Sequence, residues 1–106
     1  RIGTLNTRTL NPPGALENLT SVLGKYNIQI AALQEIRWTG HDDDGLTAGA
    51  YTIFYSGHDT HRVNGVGFAV AHELRQSVLE FRHESDRICV LPVSYTHLTL
   101  PTNREV

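Results

Sequence analysis

Polar residues at the ends of two predicted strands are the part of this sequence best suited to chemistry. Asn6 ends the alternation of apolar and polar residues over 1–7, and Gln34 and Glu35 follow the apolar run 28–33. Mg²⁺ is commonly bound by one or two carboxylates and keeps several waters, while substrate phosphate oxygens fill other positions. Glu35 is therefore a candidate metal ligand, and Asn6 is a candidate for orienting a phosphate or a metal-bound water. An ordinary polar strand end is the alternative interpretation.

A helix between the two strands would bring these residues together. Residues 11–14 are turn-forming, and proline is tolerated in the first helical turn because its missing N–H has no intrahelical partner. Five apolar residues then recur at helical spacing: Leu16, Leu19, Val22, Leu23 and Tyr26. A right-handed crossover places the carboxyl ends of two parallel strands at the same edge of a sheet. Asn6 and Glu35 are thus expected side by side.

The rest of the chain favours antiparallel strands. Residues 36–50, with three consecutive aspartates, have the composition of a solvated loop. Four further strands are predicted over residues 51–55, 66–70, 78–81 and 88–91, the first two forming a hairpin. A helix within residues 72–81 stays an alternative, because short apolar runs are ambiguous by periodicity. The predicted fold class is α/β, with a βαβ unit followed by mostly antiparallel strands.

The composition narrows the functional class. The chain is 40% hydrophobic and carries a formal charge of −2, which is typical of an ordinary globular protein and gives no basic footprint for nucleic acid. It has neither an apolar run long enough for a membrane span nor a signal-peptide pattern. The single cysteine, Cys89, cannot form an internal disulfide. We expect an intracellular protein of the nucleus or cytoplasm that does not contact a membrane.

Five segments, in this order, resemble the endonuclease/exonuclease/phosphatase superfamily. They read RIGTLNTRTL, IAALQEIRWTGHD, YTIFYSG, GVGFAVA and SDRICVLPV. Within that superfamily, the segments are similar to craniofacial development protein 2-like and retrotransposon-derived endonuclease sequences. The resemblance covers residues 1 to about 92. It implies a four-layer α/β sandwich, cleavage assisted by Mg²⁺ or Mn²⁺, and a nucleic acid, most directly DNA, as the partner.

The resemblance also implies roles for individual residues. Asn6 matches the active-site asparagine of the first strand, and Glu35 matches the metal-binding glutamate, so both are expected at the catalytic metal site. Gln34 and Trp38 are expected to contact substrate, although Trp38 has a packing role as its alternative. The tyrosine, the Asp–Asn pair and the Asp–His pair of the superfamily lie beyond the matching stretch. The chain is therefore expected to be an N-terminal fragment that is inactive by itself and prone to aggregate.

Two other functions stay open. A non-catalytic scaffold or interaction protein would keep the fold without the chemistry. A phosphodiesterase or phosphatase of the same class would instead act on a phospholipid, an inositol phosphate or RNA. Loops outside the matching stretch would decide among these substrates.

The last fourteen residues have a different character. Residues 93–102 resemble one reading frame of the transposase-type adapter used in short-read sequencing libraries. We therefore expect a domain segment over residues 1–92 and a non-native tail over residues 93–106. Tyr95 and His97 of that tail are not expected to be catalytic.

Overall fold

A strand and a helix open the fold, and strands make up most of the remaining chain. The computed structural model describes residues 2–94. The elements are β1 (Ile2–Asn6), α1 (Ala15–Lys25), β2 (Ile30–Gln34), β3 (His41–Ala48), β4 (Tyr51–Ser56), β5 (Val66–Ala71), a 3₁₀ helix (His72–Ser77), β6 (Arg82–His83) and β7 (Cys89–Val90). The first five strands form one mixed sheet in the order β1-β2-β5-β4-β3, while β6 and β7 form a separate pair. The α/β class expected from the sequence is confirmed.

The predicted βαβ unit is present. Strands β1 and β2 pair in parallel, with a register that ends at Asn6 opposite Gln34. Helix α1 connects them and buries Leu19 and Leu23 against the sheet, while Val22 and Tyr26 on the margin of the predicted apolar face are exposed. The helix begins after Pro12 and Pro13, as expected for residues that fit the first turn but not a helix interior.

Both faces of the central strands are covered, whereas β1 and β3 at the two edges are largely exposed. One face joins Ala31 and Leu33 of β2 with Ile53 and the helix α1 residues. The other joins Ile30, Phe54 and Val70 with Leu74 of the 3₁₀ helix and with Phe81. The central strands of the sheet are buried on both faces. Their sequences are therefore nearly continuous apolar runs and do not alternate between apolar and polar residues. The predicted hairpin of β4 and β5 is confirmed by their antiparallel register.

The predicted loop over residues 36–50 is wrong for most of its length. Residues His41–Ala48 form β3, which pairs with β4 at an edge of the sheet. The register shifts between Asp42 and Leu46, and the Asp42 carboxylate accepts hydrogen bonds from the backbone N–H groups of Asp44 and Gly45. Backbone pairing with β4 and this bulge outweigh the low strand propensity of aspartate.

The predicted strand over residues 78–81 is also wrong. The chain forms the 3₁₀ helix up to Ser77, and Val78 makes only an isolated bridge with Val93. Leu74 and Phe81 are held in the core by packing with Phe54, a tertiary contact that periodicity does not report. Short strand β7 lies within the predicted run 88–91, and β6 lies where a polar connection was expected. Among residues 2–94, no helix combines the length and apolar character that crossing a membrane requires.

Candidate active site

The side chains of Asn6 and Glu35 are in direct contact. Asn6 Nδ2 donates a hydrogen bond to Glu35 Oε2 at the point where β1 and β2 both end. Strand pairing continues just beyond, since the Thr7 N–H donates to the carbonyl oxygen of Gln34 at 2.9 Å. The juxtaposition expected from the crossover is therefore present at the carboxyl edge of the two parallel strands. The chemical roles of both residues stay predictions.

A left-handed backbone at Glu35 makes this contact possible. Consecutive residues of a strand point to opposite faces, so a regular β2 would direct Glu35 away from the face shared by Gln34 and Asn6. Gln34 follows the strand geometry, with its Nε2 donating to Thr4 Oγ1 at 3.0 Å. Glu35 has φ +56°, which ends the strand and breaks the alternation. Its carboxylate consequently reaches the Asn6 side.

Neighbouring residues hold this turn in place. The Thr7 hydroxyl lies 3.0 Å from the carbonyl oxygens of both Gln34 and Glu35, which share its single hydrogen. Ile36 is fully buried immediately after the turn, and its N–H donates to the carbonyl oxygen of Gly65 at 3.1 Å. A strained conformation of this kind persists where the surroundings over-determine it. The backbone at Glu35 is therefore held from both sides.

The environment of Glu35 favours its ionised form. Asn6 donates to one carboxylate oxygen, and Arg37 Nη2 lies 3.1 Å from the other. The Asn6 hydrogen bond, followed by the Arg37 hydrogen bond and charge, lowers the pKa of Glu35 below its usual value of 4.5. Arg8 adds a smaller electrostatic contribution. Glu35 is thus an anion at neutral pH, and its side chain is 40% exposed.

A cleft of about 200 Å³ adjoins the carboxylate. Its lining includes Gln34, Glu35, Asn64, Asp86 and Arg87. Asn64 Nδ2 donates to Asp86 Oδ2 at 2.9 Å, and the Gly65 N–H donates to the Asp86 carbonyl at 2.8 Å. The segment between β6 and β7 is thereby fixed beside the end of β2. The cleft presents a second carboxylate and an arginine to any ligand of Glu35.

Asp86 and Arg87 were not among the predicted site residues. They are 51 and 52 positions beyond Glu35, in a polar stretch without local spacing that suggests a site. The only sequence signal for them was the resemblance of the segment SDRICVLPV, which contains both residues. Their approach to Glu35 depends on the packing of the β6–β7 pair.

Comparison with known proteins assigns the family. A profile of the Endonuclease/Exonuclease/phosphatase family matches residues 3–104. The chain belongs to this family. Craniofacial development protein 2 of Bos taurus is 32% identical over 87 residues, which cover 82% of this chain and 14% of that protein. Craniofacial development protein 2 of Tragulus javanicus is 31% identical over 90 residues, which cover 85% of this chain and 15% of that protein. The chain thus spans about one seventh of these relatives.

Members of the endonuclease/exonuclease/phosphatase family are hydrolytic and generally use divalent metals. The chemistry of the Glu35 side chain fits such an ion. A hard cation prefers anionic oxygen, and Glu35 is the accessible carboxylate at the end of β2. The Asn6 Oδ1 atom accepts a hydrogen bond from the Arg8 N–H at 2.9 Å. Asn6 is therefore better placed to orient Glu35 or a phosphate than to bind the ion itself. Glu35 would be the residue that holds the metal.

Trp38 is not one of the described residues that line the cleft beside Glu35. Its ring meets Tyr55 edge-on, with ring centroids 4.9 Å apart, and it packs against the core on the α1 face. This contact favours the packing role that was kept as the alternative. Stacking of Trp38 on a nucleotide stays a prediction, as does a substrate contact for Gln34, which does line the cleft.

The predicted boundary at residue 92 stays a prediction. Val93 bridges Val78, and the Ser94 N–H donates to the carbonyl oxygen of Ser77. Tyr95 and His97 lie outside the described residues, and the family match itself extends to residue 104.

Proposed function

We propose that this chain is part of a divalent-metal-dependent phosphodiesterase, most directly an endonuclease that cleaves DNA. The observation that carries the proposal is the contact between the Asn6 amide and the ionised Glu35 carboxylate at the carboxyl ends of two adjacent parallel strands. In open α/β sheets this edge is where ligands bind. Membership of a hydrolytic family supports the same assignment.

Each side chain has a defined task in this proposal. The Glu35 carboxylate holds Mg²⁺ or Mn²⁺, and a bound ion of this kind neutralises charge that develops on the phosphate during attack by water. Asn6 fixes the Glu35 carboxylate and presents its amide at the same edge of the sheet. The Arg37 guanidinium, paired with Glu35, adds positive charge where an anionic substrate would approach. Gln34 and Arg87 line the adjoining cleft and are positioned to contact the substrate backbone.

The net charge of this chain indicates that other parts of the protein bind the substrate. A formal charge of −2 gives this chain little non-specific attraction for a polyanion. The chain also covers only 14% and 15% of the two relatives. We therefore propose that the chain alone does not cleave DNA and that activity belongs to the longer protein.

The experiment compares Glu35→Gln with wild type in a longer protein that contains this chain. We expect the variant to lose about a hundredfold or more of its Mg²⁺-dependent cleavage of DNA, because it lacks the charged ligand of the ion that neutralises the reacting phosphate. Glu17→Gln is the matched control, since Glu17 is an exposed carboxylate in the first turn of α1. It should cleave at the wild-type rate.

Two results would contradict the proposal. Undiminished cleavage by Glu35→Gln would exclude the metal role of Glu35. Absence of DNA cleavage in the wild type, with turnover of an RNA, phospholipid or inositol phosphate, would keep the reaction class and reject DNA as the substrate.

A further inference from the structure

A second cluster of metal-binding side chains joins the main sheet to the β6–β7 pair. His41 and Asp43 lie on β3, and His83 ends β6. One potential ligand atom from each residue lies within 4.8 Å of the other two, and all three side chains are exposed. It is the only such group of three among the described residues. None of the three lines the cleft beside Glu35.

The two imidazoles converge on a single carboxylate oxygen. His83 Nδ1 lies 2.8 Å and His41 Nδ1 lies 3.2 Å from Asp43 Oδ1. The rings are stacked, with centroids 3.5 Å apart and planes 9° apart, so both Nδ1 atoms lie on the side of the stack that faces Asp43. Three donor atoms thus meet at one point, although the histidines are 42 residues apart in sequence.

These separations resemble the spacing of ligands around one ion. In a tetrahedral site, bonds from zinc to nitrogen and oxygen of about 2.0–2.2 Å place neighbouring ligand atoms roughly 3.3–3.6 Å apart. The 3.2 Å distance from His41 Nδ1 is close to that interval, and the 2.8 Å distance from His83 Nδ1 is shorter, so an ion would move the His83 and Asp43 ligand atoms slightly apart. To bind one ion, the exposed rings would rotate out of their parallel stack and present Nδ1 lone pairs in place of the N–H groups that now face Asp43. Asp43 lies two residues after His41, within the irregular stretch of β3 between Asp42 and Leu46, and its carboxylate contacts both rings.

We propose that His41, Asp43 and His83 bind a divalent transition-metal ion of the Zn²⁺ class. Two imidazoles and one carboxylate are a donor set that zinc accepts with water in the remaining position. Imidazole suits Zn²⁺, Cu²⁺ and Ni²⁺, whereas Mg²⁺ selects oxygen ligands and retains its waters. The site therefore discriminates against the ion proposed for Glu35. It is independent of the proposed function.

The ion would tie β6 to the edge of the main sheet. β6 and β7 are two residues each and do not pair with any strand of the larger sheet among residues 2–94. The same short pair leads to and from Asp86 and Arg87 beside Glu35. Binding at His83 consequently stabilises the segment that completes the cleft. A ligand that binds only the folded form raises the temperature of unfolding.

The test is a Zn²⁺ titration of the 106-residue chain in excess Mg²⁺, by competition with a chromophoric chelator. His83→Ala and Asp43→Asn should each weaken Zn²⁺ binding by about tenfold or more, because the first removes a direct ligand and the second removes the negative charge of another. Asp44→Asn and His61→Ala are matched controls, with the same change in residue type at neighbouring or loop positions outside the cluster. Both should bind Zn²⁺ as the wild type does.

A second measurement separates loss of a ligand from loss of the fold. Histidine ring signals in NMR spectra of the wild type should shift for His41 and His83 on addition of Zn²⁺, and Mg²⁺ should not move them. Asp43→Asn keeps the size of the side chain and, without Zn²⁺, should retain the wild-type backbone amide spectrum except close to His41, Asp43 and His83. No Zn²⁺ binding by the wild type, or equal affinity in Asp43→Asn and wild type, overturns the proposal. Neither result bears on the Glu35→Gln cleavage assay.

Discussion

The hydrogen bond from Asn6 to Glu35 favours the ionised form of a candidate metal ligand. The Asn6 amide is the largest cause of the lowered pKa of Glu35, and Arg37 comes second. A carboxylate with a depressed pKa in the folded state favours folding above its unfolded pKa. That contribution is fully present above about pH 4.5 and is lost as the pH falls through the folded pKa.

Asn6→Ala should therefore raise the pKa of Glu35 towards 4.5, because the principal donor to the ionised form is gone. The measurement is an NMR titration of the Glu35 carboxyl carbon in the metal-free chain. Asn18→Ala, which removes an amide from helix α1, is the control and should leave the titration unchanged. A midpoint that does not move in Asn6→Ala would show that Arg37 alone sustains the shift.

At the scale of elements, the segment that follows β2 is held by close contact with β5 and with the loop that precedes β5. Gly67 lies where β5 meets β4 and faces Ile36. A Cβ atom added there would stand 3.0 Å from Ile36 Cδ1 and would collide with the carbonyl oxygen of Phe54. Ile36 follows Glu35 directly, so this glycine allows the turn that places the carboxylate. No side chain fits between these elements without moving one of them.

Gly67→Ala should lower the free energy of unfolding by about 1–3 kcal/mol, the usual effect of forcing extra volume into a packed core. Urea unfolding of dilute, monomeric protein measures it. Gly24→Ala is the matched control, because that helical glycine has nothing within 4 Å of an added Cβ. It should raise the free energy of unfolding by about 0.5–1 kcal/mol through helix propensity. Equal stability of Gly67→Ala and wild type would contradict the close approach.

At the scale of the whole molecule, β1 is an exposed edge strand that carries apolar side chains. β1 is an edge of the sheet formed by the described residues, so one row of its backbone groups has no strand beside it. Ile2 on this strand is 78% exposed, and Leu5 is also exposed. An apolar edge strand is a template for pairing with another chain. We expect the 106-residue chain to self-associate through β1.

Ile2→Lys should reduce this self-association, because a charge on an edge strand opposes strand addition. Light scattering over a range of protein concentrations measures the effect. Leu79→Lys is the control: Leu79 is 66% exposed but lies outside the five-stranded sheet, so the variant should associate as the wild type does. Identical scattering by Ile2→Lys and wild type would show that another surface causes the association.

Local pattern was enough to predict the scaffold of the candidate site. Alternating residues over 1–7 predicted the first strand, and apolar residues at helical spacing over 16–26 predicted the helix. The apolar run that ends at Leu33 predicted the second strand. The handedness of the crossover then placed Asn6 and Glu35 at one edge. These features depend on contacts between residues near one another in sequence or on the chirality of the backbone, so a single sequence carries them.

Tertiary structure alone decided the rest. The left-handed turn at Glu35 depends on contacts with Thr7 and Gly65. Residues 41–48 form a strand because they pair with β4. The contact between His83 and Asp43 joins residues that are 40 positions apart. Asp86 and Arg87 reach the cleft through the β6–β7 pair in the same way. Such features arise where packing outweighs local propensity, because burial and long-range pairing stabilise conformations that the local residues do not favour by themselves.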